Sequence, residues 1–89
     1  MLRITAIHND SQTILKLEGK LLEPWIEEFR SAYTMAKIQS AQVVLNLASL
    51  IFADEAGTRV LCSLVQLGVP IIECSAFVTE LLRGPQTKP

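Results

Sequence analysis

Residues 43–61 read VVLNLASLIFADEAGTRVL, an apolar run with β-branched residues followed by a segment of mixed polarity. Its first five residues are typical of a central strand buried on both faces, because parallel strands covered by helices carry nearly continuous apolar side chains. Asp54 then precedes a helical pattern from about Glu55 to Leu67, and an aspartate at that position can cap the free N–H groups of a first turn. The stretch predicts a strand-to-helix unit at the centre of the fold.

The segments before this unit predict a β-hairpin followed by a helix. Residues 2–7 and 13–17 alternate in polarity around Asn9-Asp10-Ser11, and Gly19 is expected to close the second strand. Glu23-Pro24 then opens a helix, because proline at a first-turn position loses no hydrogen bond. The apolar stripe of this helix consists of Trp25, Phe29, Ala32 and Ala36.

The segments after the central unit predict one more strand and a short helix. Gly68 and Pro70 end the central helix, residues 69–74 form a buried-strand candidate, and Ser75 can cap a helix that ends near Arg83. The predicted order is β-β-α-β-α-β-α, an α/β fold whose mixed central sheet has about four strands with about three helices. We expect a single domain over residues 1–84 and a disordered tail over residues 85–89.

The composition fits a small globular protein. Of 89 residues, 49% are apolar and 19% are charged, which is far from the composition of disordered chains. The net charge of −1 and the scattered basic residues argue against a nucleic-acid partner. No apolar run reaches the ~18–20 residues that span a bilayer, and residues 1–5 lack a signal-peptide pattern, so we expect a cytoplasmic protein without membrane insertion.

The residue types of metal and catalytic sites are sparse. Cys62 and Cys74 both lie in apolar runs, where we expect reduced, buried thiols, and His8 lies in the predicted hairpin turn. These three side chains supply too few ligands for a metal site, and nothing places a nucleophile beside a base. We therefore predict no catalytic residues, no metal and no cofactor.

Residues 43–61 resemble the central signature of the STAS domain family, which includes anti-sigma-factor antagonists. In that family a buried strand ending in Asp-Leu leads through an apolar loop to Asp-Ser-Ser-Gly and a helix, and here Asn46-Leu47, Phe52 and residues 54–57 occupy those places. The resemblance extends from Leu2 to Leu82 and implies the STAS-like layered fold. It also implies a docking surface at the loop and the start of the following helix: Phe52, Asp54, Glu55, Ala56, Gly57, Thr58 and Arg59.

The chain departs from the family at the phosphorylation site. A hydroxyl in the first helical turn, once phosphorylated, places charge beside free N–H groups and can switch docking. Here Glu55 aligns with the first serine, and Ala56, which cannot be phosphorylated, aligns with the usual phosphoacceptor. Thr58 and Ser49 are the remaining hydroxyls nearby, and both are weak substitutes.

Two interpretations stay open for the acids and the glycine at this site. Glu55 could supply a permanent negative charge to the docking surface, or it could be a first-turn acid favoured by the helix dipole. Asp54 could contact a partner or serve as the N-cap, and Gly57 could allow close backbone approach or merely tolerate a tight first turn.

Three functions compete at this point. The first is a non-catalytic interaction module that docks on an anti-sigma factor or a serine-kinase-like protein, as the resemblance implies. The second is an accessory STAS subunit bound to the ATPase of an ABC-type lipid transporter. The third is a small thiol enzyme, which the apolar surroundings of both cysteines disfavour. If the first strand lies at a sheet edge, strand-to-strand homodimerisation is also allowed.

Overall fold

A computed structural model describes residues 2–83 of the chain. Its elements are β1 (Leu2–Asn9), β2 (Gln12–Leu21), α1 (Glu23–Gln39), β3 (Gln42–Ala53), α2 (Glu55–Gln66), β4 (Ile71–Cys74) and α3 (Ala76–Arg83). The predicted α/β class, the order β-β-α-β-α-β-α and the mixed sheet of four strands with three helices are confirmed. The tail predicted over residues 85–89 lies outside the described residues.

The sheet has the strand order β1-β2-β3-β4. β1 pairs antiparallel with β2 through a tight turn at Asp10-Ser11, whereas β2 with β3 and β3 with β4 are parallel. The two parallel pairs are joined through α1 and α2, as parallel neighbours require a crossover connection. β2 and β3 are therefore the two inner strands, each with a partner on both sides, and β1 lies at an edge as the dimerisation hypothesis requires.

One face of the sheet and the helices α1 and α2 form the hydrophobic core. Leu15, Leu45 and Leu47 are fully buried on this face, and Phe29 of α1 and Leu61 of α2 are buried against the same cluster. Trp25 is half-buried and packs on the cluster, so the predicted stripe of α1 faces the core. None of the described helices is long and apolar enough to cross a membrane.

The opposite face carries a narrow apolar strip. Ile7 pairs with Ile14, and Ile14 pairs with Val44, in adjacent strands. Since successive side chains of a strand point to opposite faces, these residues point away from Leu15 and Leu45. Val44 is only 4% exposed although it lies outside the main core cluster.

The long second and third strands differ from the expectation. Gly19 does not close β2; it lies within the strand with a φ of 102°, at an irregularity in the pairing with β3. Residues 48–53 are not an apolar loop, because β3 continues to Ala53. Both extensions have the same physical cause: Gly19 pairs with Leu50 and Leu21 with Ala53, so each strand satisfies the backbone groups of the other.

The last strand was wrongly expected to be buried. β4 has four residues at the sheet edge, with Ile71 half-buried and Ile72, Glu73 and Cys74 exposed. An edge strand lacks a neighbour on one side, so the apolar sequence of residues 69–74 does not report burial here. The expectation of two buried thiols is therefore wrong for Cys74, and Cys62 on α2 is half-buried.

Candidate functional site

The residues that the sequence singled out lie where β3 ends and α2 begins. We call residues 52–59 the junction. Phe52 and Ala53 are the last residues of β3, Asp54 is the N-cap, and residues 55–59 form the first turn and a half of α2. The structure therefore brings all seven predicted residues into one continuous segment, built on a strand and a helix and not on a loop.

Asp54 joins the N-termini of two helices. Its Oδ1 accepts a hydrogen bond from the Gly57 N–H at 2.8 Å, which is the predicted N-cap of α2. Its Oδ2 accepts a second one from the Glu23 N–H of α1 at 2.9 Å. The hydrogen bonds from the Gly57 and Glu23 backbone hold the pKa of this carboxyl below its ordinary value of 3.8, because they stabilise the charged form. The carboxylate thus fixes the junction against α1.

Gly57 is buried and has no room for a side chain. A Cβ atom built on it would lie 2.3 Å from the carbonyl oxygen of Leu21 and 3.2 Å from the Cβ of Ala53. The Leu21 carbonyl also accepts a hydrogen bond from the Asp54 N–H at 3.2 Å. Of the two interpretations of this glycine, close backbone approach is the correct one: α2 begins directly against the end of β2.

Glu55 and Arg59 form an ion pair on the surface of α2. Arg59 Nη2 donates to Glu55 Oε2 at 2.8 Å, and both side chains are well exposed. The charge of Glu55 is therefore balanced by a neighbour one helical turn away. The two residues also lie at the N-terminal end of α2, where the helix dipole favours the acid. The surface presents a paired charge and not an isolated negative one.

Three positions near the start of α2 are relevant to phosphorylation. Ala56 is half-buried and packs against the core cluster. Thr58 is half-buried, and its N–H donates to the Asp54 carbonyl oxygen at 2.8 Å as an ordinary helical hydrogen bond. Ser49 lies in β3 and is half-buried as well. Neither hydroxyl occupies the position of Ala56 in the first turn.

Aromatic contact links the junction to the last helix. The rings of Phe52 and Phe77 stack with centroids 5.7 Å apart, and Phe52 remains 44% exposed. The predicted cap of α3 is present, because Ser75 Oγ accepts from the Val78 N–H at 3.2 Å while donating to the Leu50 carbonyl at 2.6 Å. The junction therefore has an aromatic flank that α3 holds in place.

The one histidine lies far from the junction along the sheet. His8 belongs to β1 and not to the turn, and its Nδ1 lies 2.9 Å from the hydroxyl of buried Thr13, which also hydrogen-bonds Ser40. This network satisfies Thr13, the one polar side chain that is buried among residues 2–83. Within residues 2–83, no three His, Cys, Asp or Glu side chains come together as metal ligands.

A groove between α1 and α2 was not predicted from the sequence. It has a volume of about 450 Å³ and begins beside the junction at Arg59. Its lining residues are Phe29, Arg30, Tyr33 and Thr34 of α1 and Arg59, Val60, Ser63 and Leu64 of α2. The sequence did contain a signal for this groove. In each helix, polar and apolar side chains follow an arginine at spacings of three and four residues, and this spacing places them on the same helix face as the arginine.

No protein-family model matches the chain. No curated protein matches it either.

Proposed function

We propose that this protein is a non-catalytic interaction module of the STAS type that docks on a protein partner through the junction. The observation that carries the proposal is the double hydrogen bond of Asp54, which holds a partly exposed strand-to-helix segment against α1. A docking surface benefits from such order, because an already ordered segment loses less conformational entropy on binding. The confirmed element order and the Asp-x-x-Gly spacing at residues 54–57 support the STAS assignment.

The chemistry of the junction supports docking more than catalysis. It presents an exposed aromatic ring at Phe52, a surface ion pair between Glu55 and Arg59, and a helix N-terminus whose Gly57 N–H already donates to Asp54. Aromatic and arginine side chains are the types enriched at the energetic centres of interfaces. By resemblance to the family, the partner is an anti-sigma factor or a serine-kinase-like protein.

Docking by this protein is not switched at the family's usual position. Ala56 has no hydroxyl, and its half-buried side chain packs on the core. The Glu55 carboxylate differs from a phosphate because it carries a single charge and has Arg59 as a neighbour at 2.8 Å. The module is thus constitutively competent to bind, in contrast to relatives that a phosphate turns off or on.

The test compares two variants that both lose the aromatic stack. Tagged wild-type protein, Phe52→Ala and Phe77→Ala are used to capture partners from the native host in mild detergent, with identification by mass spectrometry. We expect Phe52→Ala to lose a kinase-like or anti-sigma partner and Phe77→Ala to retain most of it, since only Phe52 belongs to the junction. Equal retention by both variants contradicts docking through this segment.

The identity of the captured protein separates the two regulatory settings. An anti-sigma factor or kinase-like protein supports the proposed function. Recovery of a transporter ATPase with its membrane subunits instead moves the protein to the accessory role in lipid transport. Adding Ala56→Ser to the comparison shows whether a restored hydroxyl becomes a phosphoacceptor for a captured kinase.

A further inference from the structure

The groove between α1 and α2 has the size and the lining of a small-molecule site. Its volume of about 450 Å³ falls within the ~300–1,000 Å³ that is usual for ligand pockets. We propose that it binds a small amphipathic anion, a molecule with a carboxylate or phosphate head and an apolar body. This inference concerns the isolated chain and does not depend on the proposed docking function.

The floor of the groove is apolar and well ordered. Phe29 is 1% exposed and Leu64 is buried, so both are fixed by the core, and half-buried Val60 lies beside them. These side chains belong to two helices that pack directly on each other. Such a floor provides a preformed surface for an alkyl or aryl body, because apolar area removed from water favours binding.

The rim of the groove carries hydrogen-bond donors and two positive charges. Arg30 and Arg59 line it from opposite helices, together with the hydroxyl groups of Tyr33, Thr34 and Ser63. Among the residues that the structure describes, no carboxylate lines the groove. Guanidinium groups form paired hydrogen bonds with carboxylate and phosphate oxygens, and hydroxyl groups can donate to the same oxygens. The rim is therefore complementary to an anionic head and not to a cation.

The two arginines differ in their present partners. Within residues 2–83, Arg30 makes no ion pair, whereas Arg59 pairs with Glu55 at 2.8 Å. An exposed pair spaced four residues apart on a helix contributes little free energy, so an incoming anion can displace Glu55. Glu55 is then a competitor for the ligand head. Its removal should strengthen binding to the groove.

The experiment maps ligand binding on the full chain by nuclear magnetic resonance. Uniformly ¹⁵N-labelled protein is titrated with octanoate, octyl phosphate and octanol, each below the concentration at which it self-associates. Octanoate and octyl phosphate should shift the amide signals of the groove, and the preferred anion identifies the head group. Octanol has the same body without charge and should bind about tenfold more weakly, because it forms no charge-assisted hydrogen bonds.

Four variants test the assigned roles. Arg30→Gln should weaken binding of the preferred anion about tenfold, and Arg30→Lys should weaken it less, since it keeps the charge but not the paired geometry. Arg3→Gln removes the same charge from an exposed position on β1 and should leave the affinity unchanged. Glu55→Gln should tighten binding about twofold, because Arg59 loses its competing partner.

Several outcomes overturn the proposal. Equal affinity for octanoate and octanol would show a purely apolar surface, and shifts centred away from α1 and α2 would place the site elsewhere. The proposal also fails if none of the probes binds, or if Arg30→Gln and Arg3→Gln behave alike. Dispersed spectra of the unliganded variants establish that each is folded before its affinity is compared.

Discussion

At the scale of single residues, two positions hold the junction in place. One has no room for a side chain, and the other requires a carboxylate. Gly57 leaves the space that the Leu21 carbonyl oxygen occupies. Asp54 fills the gap between the N-termini of α1 and α2. Because both act on backbone groups, neighbouring side chains cannot compensate for their loss by changing rotamer.

Replacing Gly57 by alanine should destabilise the protein by about 2 kcal/mol. A contact of 2.3 Å with the backbone carbonyl oxygen of Leu21 lies at the upper end of the usual overpacking cost, about 3 kcal/mol, and the gain of about 1 kcal/mol in helix propensity offsets part of it. The comparison variant is Gly68→Ala, which meets no atom within 4 Å but must adopt a φ of +88°. This variant should be about 1 kcal/mol less stable than the wild type, from backbone strain alone. Urea unfolding measures both; a Gly57→Ala variant as stable as the wild type contradicts the close approach.

Replacing Asp54 by asparagine should lower the stability of the protein at neutral pH. The side-chain amide can still accept from Gly57, but its NH₂ group cannot accept from the Glu23 N–H. Because folding lowers the Asp54 pKa below 3.8, the carboxylate stabilises the fold above that pH. This contribution disappears as the pH falls through the folded-state pKa.

The difference in urea midpoint between wild type and Asp54→Asn should therefore be constant near neutrality and shrink in acid, below pH 3.8. Asp10→Asn is the matched control, because it removes the same charge from an exposed turn. A difference that does not change with pH would show that the charge of Asp54 contributes nothing to the cap.

At the scale of elements, the strands and helices that could be predicted are those with local signals at both ends. Gly68 and Pro70 end α2, and Asp54 starts it, so its bounds were predicted to within a residue. The ends of β2 and β3 could not be predicted, because their last residues are ordered by pairing with each other. The burial of β4 was misjudged for the same reason: position in the sheet is a tertiary property.

In the candidate site, too, the features with a local cause could be predicted and those that depend on tertiary packing could not. The N-cap of Asp54 has a local cause and was predicted, whereas its hydrogen bond to Glu23 joins residues 31 positions apart and was not. The groove depends on the packing of α1 against α2, so the sequence contained its residue types but not their assembly.

The exposed edge position of β4 gives a prediction for Cys74. Its side chain is exposed, yet local burial of the sulfur raises the pKa of the thiol above the ordinary value of 9.0. The thiolate is the reactive form, so maleimide should label Cys74 more slowly near neutral pH than it labels an unstructured cysteine peptide. The labelling rate should then rise about tenfold per pH unit up to that raised pKa. Mass spectrometry of the labelled protein, with Cys74→Ser as control, assigns the site. Rapid labelling at neutral pH would revive the thiol-enzyme hypothesis.

At the scale of the whole molecule, a single hydrophobic cluster connects every layer. It includes Leu2 of β1, Phe29 of α1, Leu61 of α2 and Val78 of α3. Val78 is fully buried although α3 is short and closes the described part of the chain. The last helix therefore shares its stabilising contacts with the central strand and is not an independent appendage.

A shared core predicts that the described elements unfold together. The urea transitions followed by Trp25 fluorescence, which reports on α1, and by far-UV circular dichroism should coincide, with a slope of about 1 kcal/mol per molar urea for a domain of this size. Val78→Ala removes buried methyl groups and should shift both transitions equally, by about 2 kcal/mol. Thr79→Ala, at the exposed neighbouring position, should change stability by less than about 0.5 kcal/mol. If the circular dichroism signal of Val78→Ala falls at a lower urea concentration than its fluorescence signal changes, α3 detaches separately. The junction then loses the support of Phe77 while the rest of the fold persists.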